Sequence, residues 1–132
     1  MDVVIDTSAI IAVIANEPER RAIVGQTVGA ALAAPASVHW EVGNAFSAMF
    51  KRGRISLLQA KQAVKSYERM RLRFVDVDLS DSLELSQRLD IYAYDAYVLA
   101  CALRLRSRLI TLDKKLAALA PLAGVRVLEV SP

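Results

Sequence analysis

The sequence predicts an α/β fold, with a mostly parallel, roughly five-stranded central sheet and helices on both of its faces. Three observations carry this. Val3-Val4-Ile5 and Leu109-Ile110-Thr111 are short apolar runs rich in β-branched side chains, the pattern of strands buried on both faces. Segments between such runs repeat apolar residues at helical spacing. Strand-like and helix-like segments then alternate along the chain, the order that crossover connections turn into a parallel sheet. The chain has 132 residues, 55% of them hydrophobic, which is enough for one sizeable core, so residues 1–132 are expected to form a single domain.

Taken in order, Val3–Ile5 is the first strand, Asp6 ends it, and Thr7 or Ser8 caps an apolar helix over Ala9–Ala15. Asn16 reads as the cap of a fresh helix that runs to about Gly25, with Glu17, Pro18 and Glu19 in its first turn. Ala31–Ala34 is a short second strand, stopped by Pro35. Ser37 caps a helix over Val38–Arg52, whose apolar stripe is Val38, Val42, Ala45, Phe46 and Met49. Lys51 and Arg52 suit the C-terminal dipole of that helix, and Gly53 can adopt the left-handed conformation that ends it. Ser56 caps a helix over Leu57–Arg69. Phe74–Asp78 alternates as a third strand, and Ser80 or Asp81 caps a helix through about Leu89. The next helix opens near Asp95 and is nonpolar on all sides from Ala96 to Leu103, the Tyr97 hydroxyl apart, so it packs in the interior. Leu109–Thr111 is another buried strand, ended by Leu112-Asp113. Lys114–Ala120 is a brief helix stopped by Pro121, and Val125–Val130 is a last, edge-like strand.

Composition narrows the function. Lys and Arg number 17 against 14 Asp and Glu, so the net charge is +3, compatible with a nucleic-acid partner without requiring one. The lone Cys101 cannot form an internal disulfide and sits in an apolar run, which reads as a buried structural thiol in a reducing cytosol. One His and one Cys are too few for a zinc site, and one His cannot supply the pair that a metal-free nuclease of the ribonuclease A type needs. His39 itself reads as an exposed or structural residue. Ala9–Ala15 is too short to span a membrane and follows acidic Asp2 and Asp6, so neither a membrane span nor a signal peptide is expected and the cytoplasm is the natural location.

Four acids share a position in this pattern. Asp6 and Asp113 each follow a short buried strand, Asp95 opens a buried helix, and Glu41 borders the apolar stripe of its own helix instead of the opposite face. In a parallel sheet the C-terminal strand ends lie along one edge, so Asp6 and Asp113 can meet there, and the two helix acids can join them. Carboxylates gathered within about 4–6 Å raise one another's pKa, and a hard divalent cation relieves that repulsion. An all-oxygen set suits Mg²⁺ or Mn²⁺.

In this ordered arrangement the sequence resembles the PIN-domain ribonucleases, and among them the VapC-like toxins of type II toxin–antitoxin modules. Val4-Ile5-Asp6-Thr7-Ser8 matches the family's opening strand and first acid. Pro35 through Glu41-Val42-Gly43-Asn44-Ala45 matches the second block, followed by Arg52-Gly53-Arg54-Ile55-Ser56. Tyr94-Asp95-Ala96-Tyr97 and Leu109-Ile110-Thr111-Leu112-Asp113 match the third and fourth. The resemblance covers nearly the whole chain. It implies a PIN-like three-layer α/β/α fold and a catalytic, metal-binding set of Asp6, Glu41, Asp95 and Asp113, with Thr7, Ser8, Asn44 and Thr111 as supporting polar groups. It implies metal-dependent hydrolysis of RNA to 5′-phosphate and 3′-hydroxyl ends, with tRNA, rRNA and mRNA all open as targets, and two partners, a cognate antitoxin protein and a second copy in a homodimer. Exposed apolar residues around Ile14 and Phe46 to Phe50 could serve either contact. Lys114 and Lys115 stand where some relatives carry a further acid, which weakens the case for a second metal. RNA approaching a negative site needs a basic rim, for which Lys51, Arg52, Arg54, Lys114 and Lys115 are candidates.

Other readings compete. A receiver-type phosphoacceptor domain wants an adjacent acidic pair after its first strand, and a haloacid dehalogenase-like phosphatase wants Asp-x-Asp there; Asp6-Thr7-Ser8 is neither. A binding scaffold that keeps the fold without chemistry is the third alternative, and the intact set of acids argues against it.

Overall fold

The computed structural model describes residues 1–131. The chain forms β1 (Asp2–Ile5), α1 (Thr7–Ile14), α2 (Arg20–Gln26), β2 (Ala31–Pro35), α3 (Ser37–Lys51), α4 (Leu57–Arg69), β3 (Arg73–Val75), α5 (Leu79–Leu89), α6 (Ala93–Leu105), β4 (Arg108–Ile110) and α7 (Lys114–Leu119), with a 3₁₀ turn at Ala120–Ala123. All strand pairs are parallel, in the order β3-β2-β1-β4. Val3, Val4 and Ile5 are fully buried, so β1 is covered on both faces, as a central parallel strand should be. Helix α6 packs on β1 and β2 and carries α5, while α1 gathers α2, α3 and α4. The α/β class and the helical layers on both faces of the sheet are those read from the sequence.

Among the described residues the sheet has four strands, not five. Val125–Val130 contributes only a bridge between Val127 and Leu109, whose amide and carbonyl pair with Arg126 and Leu128. Strand β4 is three residues long and offers little more edge to pair with. The third strand is likewise shorter than Phe74–Asp78, because Asp78 is taken by the next helix.

Helix starts differ from expectation in a consistent way. Asp6, not Thr7 or Ser8, caps α1, and Asp78, not Ser80 or Asp81, caps α5; each side chain accepts the amide three residues on. Asn16 is no cap: it turns with φ +54° after α1, and α2 begins only at Arg20. Ser37 lies inside α3, with Ala36 at the cap. Ser56 does cap α4, in a reciprocal capping box with Gln59. Gly53 ends α3 with φ +68°, a conformation that favours glycine. Phe46 belongs to the core, whereas Ile14 and Met49 are half-buried beside a groove with Ile55. Cys101 is fully buried in α6, and burial pushes its thiol up to about 11, as befits an inert structural residue. Among the described residues no helix is long and apolar enough to cross a membrane.

Candidate active site

Strand β1 lies between β2 and β4, so the chain's crossovers leave it in opposite directions. Open α/β sheets bind ligands at the C-terminal edge of such a switch point. Asp6 is the first residue beyond β1 and is only 6% exposed. Its Oδ1 accepts the Ser8 hydroxyl at 2.7 Å and the Ala9 amide at 3.0 Å, and its Oδ2 accepts the Thr111 hydroxyl. It is at once the cap of α1 and the floor of the site. Burial raises its pKa, these three donors pull it back, and the charge of Asp113 raises it again.

Two hydroxyls join the ends of β1 and β4. Ser8 Oγ accepts the Leu112 amide at 2.9 Å and lies 3.4 Å from Thr111 Oγ1, which accepts the Asp113 amide at 3.0 Å. Asp113 is exposed and caps α7 by accepting the Leu116 amide at 3.1 Å. Of the four polar residues named as supporting groups, Ser8 and Thr111 hydrogen-bond Asp6, and Thr111 touches both the first acid and the turn that carries the last.

Glu41 and Asp95 come from helices: Asp95 lies on the first turn of α6, and Glu41 one turn into α3. Both are half-buried. Burial and then the charges of Asp6 and Asp95 push Glu41 up to about 7, against the nearby Thr7 and Ser37 hydroxyls. Those hydroxyls lean toward the carboxyl without closing a hydrogen bond, so Glu41 Oε2, Thr7 Oγ1 and Ser37 Oγ are all buried and unpaired. Burial, then Asp113, raises the pKa of Asp95, and Lys115 opposes the rise. The four acids therefore form one electrostatic cluster, since each is linked to another through these mutual effects.

Among the described residues no group of three or more His, Cys, Asp or Glu side chains is arranged to hold a metal ion. The acids repel one another, and Asp6 and Asp113 are turned toward helix amides. The donor set still fits a hard divalent cation: every candidate donor is a carboxylate oxygen, one is buried and orphaned, and three of the acids have their charged forms disfavoured in the absence of a counter-charge.

Beside this cluster lies a cleft of about 400 Å³, lined by Thr7, Ser37, Trp40, Glu41, Asn44 and Tyr94. Roomier cavities of about 810 and 890 Å³ lie elsewhere and touch none of the four acids. Of the four acids only Glu41 lines this cleft; Asp113 is exposed and Asp6 buried. Asn44 is exposed on the cleft wall, and Thr7 faces Glu41.

The expected basic rim is only partly there. Lys114 and Lys115 directly follow Asp113, and Lys115 acts on Asp95. Lys51 is ten residues beyond Glu41 on the same helix, about 15 Å along its axis, and Arg52 and Arg54 follow it, so these three stand away from the acids. His39 is structural, its Nδ1 lying 3.0 Å from the Tyr67 hydroxyl. Sequence reasoning missed Ser37, which it took for a cap, and Trp40 and Tyr94. The available signal was adjacency: Trp40 and Tyr94 each immediately precede a site acid and lie off the core-facing stripe of their helix.

A family model described as "PIN domain" matches residues 3–122. Among solved structures, the protein PAE2754 of Pyrobaculum aerophilum superposes with a TM-score of 0.74 at 21% identity, over 96% of this chain and 83% of that one. A chain in the structure of VapBC2 from Rickettsia felis bound to a DNA fragment from their promoter superposes with a TM-score of 0.70 at 15% identity, over 99% of this chain and all of that one. At these identities the likenesses establish the fold. Among curated protein sequences none matches significantly.

Proposed function

The chain belongs to the PIN-domain family, and we propose that it is a Mg²⁺- or Mn²⁺-dependent ribonuclease, a VapC-like toxin that hydrolyses RNA phosphodiester bonds in the cytoplasm until a cognate antitoxin blocks it. The observation that carries this reading is the electrostatic cluster of Asp6, Glu41, Asp95 and Asp113 at the C-terminal edge of the sheet. An all-carboxylate cluster whose members disfavour one another's charge is chemistry in want of a cation. The fold shared with a chain of a VapBC complex supports the toxin reading.

Asp6, Glu41, Asp95 and Asp113 would hold the ion, which when bound polarises a phosphoryl oxygen and makes water more acidic. The chain's own residues do the rest. Ser8, Thr111 and the Ala9 amide hold Asp6 in one orientation, so its position is set before substrate arrives. Glu41 keeps Oε2 unpaired and free to act as a ligand. Lys114 and Lys115 supply positive charge next to Asp113, where the phosphate backbone must approach. The half-buried Ile14, Met49 and Ile55 border a groove of about 520 Å³ between α1, α3 and α4 that would take an apolar segment of the antitoxin or of a second copy.

The test is cleavage of total cellular RNA by the purified chain, with Mg²⁺ or Mn²⁺ and then with EDTA, beside Asp95→Asn. Discrete fragments that disappear with EDTA and with the substitution are expected. No cleavage by antitoxin-free protein offered tRNA and rRNA would favour the binding-scaffold reading.

A further inference from the structure

The cleft beside Glu41 holds two aromatic rings that the fold does not use. Trp40, the chain's one tryptophan, is 75% exposed, and Tyr94 is 59% exposed. They come from different helices, α3 and α6, and meet across one cleft that they share with Glu41 and Asn44. Each is the residue immediately before a site acid, and both rings line the cleft that Glu41 also lines. Each is also braced from one side. Trp40 meets the His39 ring edge-on, with centroids 4.7 Å apart, and His39 is in turn fixed by the Tyr67 hydroxyl and by Phe74. Tyr94 meets Tyr97 edge-on at 5.9 Å. Bracing cuts the entropy lost when a ligand stacks on a ring. A lone exposed ring needs no explanation, but two braced rings lining one cleft with Glu41 do.

We propose that Trp40 and Tyr94 form a stacking rim that receives an unpaired nucleobase of the RNA next to the phosphate being cleaved. This rests on the ribonuclease reading above. The argument is one of charge and shape. Neither Lys nor Arg lines this cleft, so phosphate meets no fixed counter-charge there, and contact with the substrate falls to an uncharged part of it. A base offers a flat π-face, and stacking it on an aromatic side chain is favourable whatever its identity. Within a duplex both faces of a base are covered by its neighbours, which leaves unpaired bases as the ones that fit.

The single tryptophan makes the test direct, since indole emission reports on Trp40 alone. The full chain carrying Asp6→Asn, which should bind without cutting, is titrated with an unpaired RNA oligonucleotide, with the same strand in a duplex, and with an abasic ribose-phosphate strand. Saturable quenching by the unpaired strand only is expected. Trp40→Ala, added to the same chain, should weaken binding of labelled unpaired RNA about 10- to 100-fold, while Trp40→Phe keeps most of it. Circular dichroism should show both variants folded, as Trp40 is a surface residue. Quenching by the abasic strand as strong as by the unpaired one, or Trp40→Ala binding like its parent, would overturn the proposal. So would emission that depends on protein concentration without RNA, which would assign the rim to a second copy. The two readings fail separately. If the native chain cuts RNA and Trp40→Ala cuts and binds equally well, stacking falls and the nuclease stands; if quenching and the Trp40→Ala loss occur but the native chain cuts nothing, the reverse holds.

Discussion

Replacing Glu41 with Gln should make the cation-free protein more stable at pH 8 and leave it unchanged at pH 4.5. The carboxyl is pushed from 4.5 to about 7 by burial and by Asp6 and Asp95, a difference that corresponds to about 3.4 kcal/mol against the ionised form. Glu41 is only half-buried, so water screens part of that, and about 1.5–2 kcal/mol is the fair expectation. The sign follows from proton binding. Below pH 4.5 both folded and unfolded chains hold the Glu41 proton and nothing is lost. Between pH 4.5 and about 7 the unfolded chain gives up its proton first, so the folded state binds more protons and stability falls as pH rises. Above pH 7 the whole penalty is in place. Gln has the same shape and no charge, so Glu41→Gln escapes it. For a domain of this size the gain amounts to roughly 5–8 °C in Tm at pH 8. Thermal melts in EDTA at pH 4.5, 6 and 8 measure it. Equal melting temperatures at pH 8, or a difference that does not change with pH, would refute the electrostatic argument. With Mn²⁺ present the order should reverse, because the parent then gains a ligand that the variant lacks.

Thr111→Val keeps the shape of the side chain but leaves Asp6 Oδ2 without its donor and the Asp113 amide without its acceptor. It should cost about 1–3 kcal/mol in urea denaturation and weaken Mn²⁺ binding about 10- to 100-fold by calorimetry. Cys101, buried and with its thiol raised to about 11, should resist iodoacetamide at pH 8 in the folded protein and react once urea unfolds it; mass spectrometry reads both states.

Much of this was legible in the sequence, and the reasons differ from element to element. Strand β1 stood out as a β-branched run and β4 as a short apolar one, each followed within three residues by an acid that caps a helix. Val125–Val130 alternates as a strand does, but only Val127 bridges to Leu109 of the three-residue β4. Caps were ambiguous wherever several capable residues stood in a row. In Asp6-Thr7-Ser8 the first residue took the cap, which freed Ser8 to link Asp6 to the Leu112 amide. The four acids were readable from their order along the chain. Their mutual electrostatics were not, since these depend on how α3 and α6 meet the sheet edge. Distance from the acids was not readable either: Lys51, a candidate for the basic rim, lies about 15 Å along α3 from Glu41.

The most direct measurement is Mn²⁺ binding by calorimetry to the native chain and to Asp6→Asn, which keeps the α1 cap because Asn caps as well as Asp. If the four carboxylates act together to hold a cation, the native chain binds Mn²⁺ and the folded variant loses most of that affinity. Equal binding by the two would contradict the account.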